Sequence, residues 1–576
     1  MSLDQTFRGQ KYLWQLPASD NKLICDIGAS YNLSLPIAQT LVNRGFADKS
    51  AINSFLFSSL EKDVAHPSRI KDAEKSVDRL LHAIKNKEKI LVAGDYDVDG
   101  ITSSAMMMIC LLPLDAQINF FLPNRAKDGY GLSAQVVERA AANGYKVIIT
   151  VDNGITAFEP AKRAKELGID LIITDHHRPH DHVPDAFAIV NPHQADCTYP
   201  FKYFAGVGVT FKLLSLLYEK KSLPLPVKVY ELLLLGTVAD VVPLIGENRF
   251  WVRHGLQQVN KMQSPCLQVL KKNGNCIKER MSSTDIGFSI TPQINALGRL
   301  EDAREGVRFL IDSDFAQVER VGAILFELNQ ARKEIERSIY TQVESEILAK
   351  NIDLEKENII LAASDKWPAG VIGLVASRLV SAYGRPTLLF HLTKSGIAKG
   401  SCRSIPAFNM FDALASASDL LQQFGGHSVA AGLSLKQEHL PKLKEHLERL
   451  VAQQLTPDDL TLKLSLDADL TLPDLTRKFV SDMEHLEPFG QENKEPNFYI
   501  KGVSLVQKPT LLKDLHVKCR VFADGVIKPV IFFNRPELFE LLMNQADDPF
   551  DIAGQVTENH WNGNVNVELR GIDIAL

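Results

Sequence analysis

Apolar and polar positions recur in distinct rhythms along the 576 residues. Short apolar runs at 90–93, 118–122, 147–151, 171–174 and 188–190 read as buried strands. Helical patterns near 103–112 and 133–142 lie between them, and a third helix is expected from a capping box of Thr156 and Glu159, closing near Gly168. Strands alternating with helices predict an α/β domain with a doubly wound parallel sheet and right-handed crossovers. Upstream, residues 1–69 read as helices and turns, with Pro36 and residues 38–41 opening one helix. Downstream, residues 311–350 contain no proline and only Gly322 as glycine, while Val318, Val321, Ile324, Leu325 and Leu328 recur at helical spacing. This predicts one long connecting helix, on the order of 60 Å if unbroken. A smaller α/β domain is expected over 351–454, with strands in IILAAS and PTLLF. After 455 the pattern changes to short strands at 462–466, 497–505, 516–522, 528–533, 551–556 and 564–570, which predicts a C-terminal β-barrel of the OB-fold type. Residues 70–310 would then form the parallel-sheet domain.

Composition narrows the picture. With 45% hydrophobic and 23% charged residues the chain can bury several ordinary cores. No unbroken apolar run is long enough to span a bilayer, and residues 1–12 lack a signal-peptide core, so the expected location is cytoplasmic, with no membrane. Seven cysteines without a C-x-x-C pair suggest buried, reduced thiols rather than disulfides or a structural zinc site. A net charge of −6 does not exclude a polyanionic partner, because one local basic groove suffices.

Chemistry concentrates where the predicted strands end. GDYDVDG follows the first strand with Asp95, Asp97 and Asp99 at alternate positions; TVDNG ends the third with Asp152; TDHH ends the fourth with Asp175, His176 and His177. In open parallel sheets, ligands bind at the carboxyl ends of the strands. Carboxylates this close repel one another unless a cation neutralises them. Carboxylate oxygens together with imidazole suit manganese, magnesium or zinc. Asp240, in LLLLGTVADVVPL, ends a strongly apolar helix where its charge opposes the helix dipole. Each segment alone is equally compatible with a helix-capping acidic loop or a solvated histidine pair; their convergence on one edge favours a metal centre.

Other segments carry groups suited to a phosphate or a base. LPNRAKDGYGLS offers Arg125, Lys127 and Tyr130, and TPQINALGRL places Asn295 and Arg299 after an expected turn. In AKGSCRS, Ser401 and Arg403 share one face of an extended segment. In FGGHSVAAG, Gly425 and Gly426 permit close backbone approach beside His427, or a tight turn. Alternation over 516–521 puts His516, Lys518 and Arg520 on one face, with Phe522 and Trp561 as core or stacking residues.

GDYDVDG, VDNG, DHH and GTVADVVPL, in this order and spacing, resemble the four phosphoesterase motifs of the DHH family, and KGSCRS with FGGHSVAAG resembles its DHHA1 domain. The full length is similar to the single-strand-specific exonucleases of that family. The resemblance implies a divalent-metal enzyme, with two Mn2+ or Mg2+ ions, that degrades single-stranded DNA from a 5′ end to mononucleotides in DNA repair and recombination. It makes Asp95, Asp97, Asp152, His176 and Asp240 the metal ligands, with Asp152 bridging. His177 would contact the scissile phosphate and Asp175 would orient the imidazoles. Arg125, Tyr130, Asn295, Arg299, Ser401, Arg403 and His427 would hold the substrate. A single-strand-binding protein and a helicase are the implied partners of a monomer. Two departures stand out: Ala93 occupies a position where many members carry histidine, and Glu492, in EPFGQENKEP, one where glycine is common. A small-molecule phosphodiesterase or pyrophosphatase, or a non-enzymatic single-strand-binding scaffold, are the alternatives.

Overall fold

The computed structural model describes residues 6–17, 20–124, 129, 131–300, 302–545, 548–561 and 564–576. The chain divides into two units, one of Asn53–Ala331 with Leu486–Lys494, the other of Met1–Ile52, Arg332–His485 and Glu495–Leu576.

In the first of these, five parallel strands lie in the order Gln117–Phe121, Lys89–Ala93, Tyr145–Val151, Asp170–Thr174, Ala188–Val190. Lys89–Ala93 comes first in the chain yet sits between the second and third strands. The winding direction therefore reverses beside it, which opens a crevice at its carboxyl end. Both sheet faces are covered, as near-continuous apolar strands require. Ile90 and Val92 pack with residues of the helices Ala73–Lys85, Val98–Leu111 and Gly206–Lys220. Leu91 and Ala93 pack with Val136, Val137, Ala161 and Ala164 of the helices Ala134–Ala142 and Phe158–Glu166.

Three local expectations are corrected. The helix expected near 103 begins at Val98, because the Asp97 carboxylate accepts from the amides of Asp99 and Gly100 at 2.9 and 3.1 Å and caps it. The capping box of Thr156 and Glu159 does not form; Phe158–Glu166 starts after Ala157 with no side-chain cap. The preceding turn is tied elsewhere, with the Ile155 amide donating to Asp175 Oδ2 at 2.9 Å. Asn295 and Arg299 lie within the helix Thr291–Leu300 rather than after a turn. Pro292 lies in the first turn of this helix, where a residue without an amide hydrogen is tolerated, and the helix continues directly from a π-helical segment, Ile286–Ile290.

The segment Leu486–Lys494 belongs to this unit through hydrogen bonds to its backbone. Leu244 N donates to Gln491 O at 2.8 Å, Ser283 Oγ to Phe489 O at 2.6 Å, and Arg249 to Leu486 O at 2.8 Å. Glu492 has φ +59°, a left-handed conformation that glycine adopts without steric cost and a residue with a β-carbon does not.

One helix of 34 residues, Phe315–Leu348, runs from this unit into the other. There a five-stranded sheet has the order Leu421–His427, Ala430–Lys436, Ile397–Arg403, Thr387–Leu392, Ile360–Ser364, antiparallel except for its last pair. Gly425 and Gly426 thus lie in a strand, not in a turn.

Toward the C-terminus, strand Phe498–Leu505 pairs with both Phe550–Trp561 and His516–Ala523. Pairings of Phe550–Trp561 with Asn564–Ala575, of that strand with Val526–Phe532, and of Val526–Phe532 with His516–Ala523 complete a closed ring of five strands. This is the expected barrel. The first expected strand lies outside it: Lys463–Ser465 instead joins an N-terminal hairpin, Thr6–Arg8 and Leu13–Gln15, in a separate three-stranded sheet. The N-terminal region, read as helices and turns, therefore opens with strands. The side chain of Trp561 is outside the described residues. Cys25 is exposed, unlike the buried thiols expected. Among the described residues, no helix is long and apolar enough to cross a membrane.

Candidate metal centre

The reversal point of the parallel sheet gathers the acidic and imidazole side chains. Asp95 lies just beyond the strand Lys89–Ala93, Asp97 caps the next helix, Asp152 follows Tyr145–Val151, and Asp175 to His177 follow Asp170–Thr174. Asp240 caps the C-terminus of Lys228–Ala239. Three overlapping sets each bring potential ligand atoms within 4.8 Å of one another: Asp95, Asp97 and Asp152; Asp152, His176 and His177; Asp99, His176 and Asp240. Asp152 belongs to two of them. His176 Nε2 stands 3.2 Å from Asp152 Oδ1, 3.6 Å from Asp240 Oδ2 and 4.0 Å from Asp99 Oδ2. One set is all carboxylate; Ala93, buried in the apolar layer, brings no imidazole to it.

Backbone geometry and close packing aim these groups. Asp152 has φ +62°, a left-handed conformation that aspartate tolerates better than most residues. Gly206 opens its helix directly against it: a β-carbon there would lie 2.5 Å from Asp152 Cβ and 2.8 Å from its Cα. Asp99 holds that helix in place, accepting from the amides of Gly206 and Val207 at 2.6 and 2.7 Å. Gly298, one residue before Arg299, packs against the carbonyl of Tyr96, between Asp95 and Asp97, too closely for any side chain. Asn153 ties the ends of two strands together through Ala93 O and Val151 O, at 3.0 and 2.9 Å.

Asp175 was expected to orient both imidazoles; its hydrogen bonds reach the ring of His177 and only the backbone amide of His176. Its Oδ1 receives the His177 ring Nδ1 at 2.7 Å and the amides of His176 and His177 at 2.7 and 3.1 Å. The ring of His176 is directed instead toward Asp152 and Asp240.

The electrostatics are those of a cation site. Burial and then the surrounding carboxylates push Asp152 well above the usual carboxylate range. Burial and Asp240 raise Asp99 to about 7; burial and Asp97 raise Asp240 to about 8. Burial, then the neighbouring His177, lowers His176. For His177 burial acts downward, but the Asp175 hydrogen bond and charge prevail and lift it to about 9. Burial opposes ionisation of Asp175, and the His177 hydrogen bond and imidazole charges overcome it, leaving Asp175 below its ordinary value. Asp240 Oδ2 and His176 Nε2 are buried and make no hydrogen bond among the described residues. Buried, mutually repelling oxygens gathered around one imidazole nitrogen match the donor set of a small divalent ion.

Of the remaining candidates, Arg125, Lys127 and Tyr130 lie outside the described residues. In the other unit, Arg403 pairs across the sheet with Ala430, and Ala430 with His427, so the guanidinium and the imidazole share one row and one face. Arg403 donates to Ser401 Oγ at 3.2 Å, and Gly373 leaves room beside both. On the barrel, Lys518, Arg520 and Phe522 are exposed and alternate with buried Val517, Cys519 and Val521.

The model described as the DHH family, N-terminal domain, matches residues 89–237, the DHHA1 domain residues 356–453 and the RecJ OB domain residues 466–573. The single-stranded-DNA-specific exonuclease RecJ of Bacillus subtilis is 35% identical over 570 residues, 98% of this chain and 71% of that one. Its Escherichia coli counterpart is 33% identical over 551 residues, covering 92% and 94%. The chain belongs to the RecJ family. The crystal structure of RecJ in complex with Mn2+ from Thermus thermophilus matches 98% of this chain and 79% of that one, with a TM-score of 0.83 and 27% identity.

Seen as a RecJ family member, the chain has three positioning residues that the motifs alone do not reveal. Asp99 reads as a structural residue of the first motif, yet it caps the helix that seats Asp152. Gly206 and Gly298 are legible only as glycines inside helical patterns, in AGVGV and NALGR. An isolated glycine there signals close backbone approach but does not say to what.

Proposed function

We propose that this chain is a divalent-metal-dependent exonuclease that removes mononucleotides from the 5′ end of single-stranded DNA, by two-metal hydrolysis, in DNA repair and recombination. The observation that carries the reading is Asp152, shared between an all-carboxylate ligand set and one containing imidazole at the sheet's reversal point. Asp95, Asp97, Asp152, His176 and Asp240 would hold the ions, and the Mn2+ complex of the T. thermophilus relative supports manganese or magnesium. When bound, the ions supply an activated water and stabilise charge on the attacking and leaving oxygens.

The chain's own residues do the rest. Asp175 holds the His177 ring by Nδ1, so the other nitrogen is the one that donates to a phosphate oxygen. The Asp175 hydrogen bond favours the protonated form of His177, which would offset the charge that develops there. Arg299 and Asn295, with Arg125 and Tyr130, bind the strand, and the row of Ser401, Arg403 and His427 receives a terminal 5′-phosphate. Residues 70–310 thus form the hydrolytic domain, 351–454 and 455–576 the substrate-holding domains. The chain acts as a cytoplasmic monomer on single strands exposed by a helicase and covered by a single-strand-binding protein.

The test is product analysis on 5′-labelled and 3′-labelled single strands, beside a blunt duplex and a cyclic dinucleotide. Labelled mononucleotide is expected first from the 5′-labelled strand, only with Mn2+ or Mg2+, while the duplex persists. Release first from the 3′ label, or activity unaffected by chelation, would overturn the reading. Preferential cleavage of the cyclic dinucleotide would favour a small-molecule phosphodiesterase.

A further inference from the structure

We propose that Phe288 is a nucleobase-stacking platform that grips the strand on the 3′ side of the reacting phosphodiester. The proposal rests on the exonuclease reading and names a contact no motif predicts. Phe288 is 79% exposed, at the centre of the π-helical segment Ile286–Ile290, whose first and last residues are fully buried. Such segments frequently mark functional sites. Its immediate neighbours in the chain are Gly287 and Ser289, so on its own segment the exposed ring is flanked by small residues only.

The position of the ring gives it a partner. From Phe288 the spacing to Pro292, Asn295 and Arg299 is four, three and four residues, which keeps them on one helical face. These three are partly exposed, whereas Thr291, Gln293, Ile294, Ala296 and Leu297 between them are buried. The row is anchored at one end beside the carboxylates, where Gly298 meets the Tyr96 carbonyl. Phe288 precedes Gly298 by two to three turns, about 15 Å along the axis. A strand leaving the carboxylates along this face meets a guanidinium, an amide and then an aromatic ring. A cationic track ending in an aromatic platform is how single strands are held without sequence preference.

Substrate length separates this role from a structural one. Steady-state kinetics with Mn2+ would compare the wild type, Phe288→Ala and Phe288→Trp on 5′-phosphorylated dT2 and dT12. The dinucleotide is too short to reach the ring. Phe288→Ala should raise KM for dT12 roughly 5- to 100-fold, the range expected for one lost base–aromatic stack, with kcat nearly unchanged. Its kinetics on dT2 and its melting temperature should match the wild type. Phe288→Trp should restore KM, and its added indole fluorescence should be quenched by dT12 in EDTA. Equal KM values for wild type and Phe288→Ala on dT12, or an equal loss on both lengths, would overturn the platform. Failure of the wild type to degrade dT12 at all would instead sink the exonuclease reading.

Discussion

His176 Nε2 lies 3.2 Å from Asp152 Oδ1, a separation that fits two ligands of one small divalent ion at about 2.1 Å from each. The same Asp152 is surrounded by Asp95, Asp97, Asp99 and Asp240, which oppose its ionisation. Function and stability therefore pull in opposite directions at this residue. Asparagine adopts the left-handed backbone of Asp152 readily, so Asp152→Asn removes the charge without disturbing the turn. Metal-dependent hydrolysis should fall by more than about 100-fold, exceeding the usual cost of losing an outer-shell partner. The melting temperature of the chelator-treated protein should nevertheless rise by a few degrees. Hydrolysis assays with saturating Mn2+ and thermal melts in chelator check both; a destabilised variant with intact hydrolysis would contradict the site.

The same repulsion makes metal-free stability pH-dependent. Asp240 is raised to about 8 and His177 to about 9, both above the values such groups have in an unfolded chain, about 4 and 6.5. Each group binds more protons folded than unfolded over that interval. Its stabilisation is complete below the unfolded value and is lost as the pH climbs through the folded one. His176, which is lowered, works in the opposite sense, but only below about 6.5. Between pH 7 and 9 the metal-free protein should therefore melt progressively lower, and saturating Mn2+ should diminish or reverse the trend, because the ion binds the deprotonated ligands. A flat melting profile in chelator across that window would count against the buried cluster.

The sequence made the parallel-sheet domain legible because its strands are buried on both faces and stand out as apolar runs, each ending in a polar loop. Asp95, Asp152 and Asp175 could be assigned to one edge for that reason alone. What stayed hidden depends on contacts between distant segments. The helix start at Val98 was masked because Asp97 can cap a helix or bind an ion, and its sequence context does not separate the two. The strand Lys463–Ser465 looked like part of the barrel because its partner, Leu13–Gln15, lies some 450 residues away and is only three residues long. The helix Thr291–Leu300 stands where a turn was expected because it continues directly from the π-helical segment Ile286–Ile290, a winding that has no sequence signature.

Gly206 tests whether Asp152 is positioned from behind. Alanine there would place its β-carbon 2.8 Å from the Asp152 main chain, which cannot retreat as a flexible side chain would. Gly206→Ala should lower kcat by roughly 100-fold, a loss of the size expected when a reacting group is misplaced by about 1 Å. Asp99→Ala should act through the same helix. It leaves the buried amides of Gly206 and Val207 without an acceptor, at about 1–3 kcal/mol each. Asp99→Asn, which keeps a carbonyl oxygen, should recover part of that stability. Unchanged kcat in Gly206→Ala would show that Asp152 is placed by its own turn alone.

In the other unit, the fully buried Asp573 collects four partners: the amides of Lys11 and Tyr12, Trp14 Nε1 at 3.0 Å and Arg535 at 3.0 Å. It fastens the N-terminal hairpin to the last barrel strand, while Trp14 fills an apolar cluster with Leu466, Ala553 and Ala575. Two substitutions separate the charge from the packing. Trp14→Phe keeps an aromatic ring in the cluster and loses one donor, so it should cost only about 1–2 kcal/mol. Asp573→Ala leaves Arg535 buried without this carboxylate and three further donors unpaired, and should cost about 3–5 kcal/mol. Limited proteolysis should then cleave the first 17 residues in Asp573→Ala well before Trp14→Phe. Equal protection of the two variants would mean that the hairpin is held by strand pairing with Lys463–Ser465 rather than by the buried carboxylate.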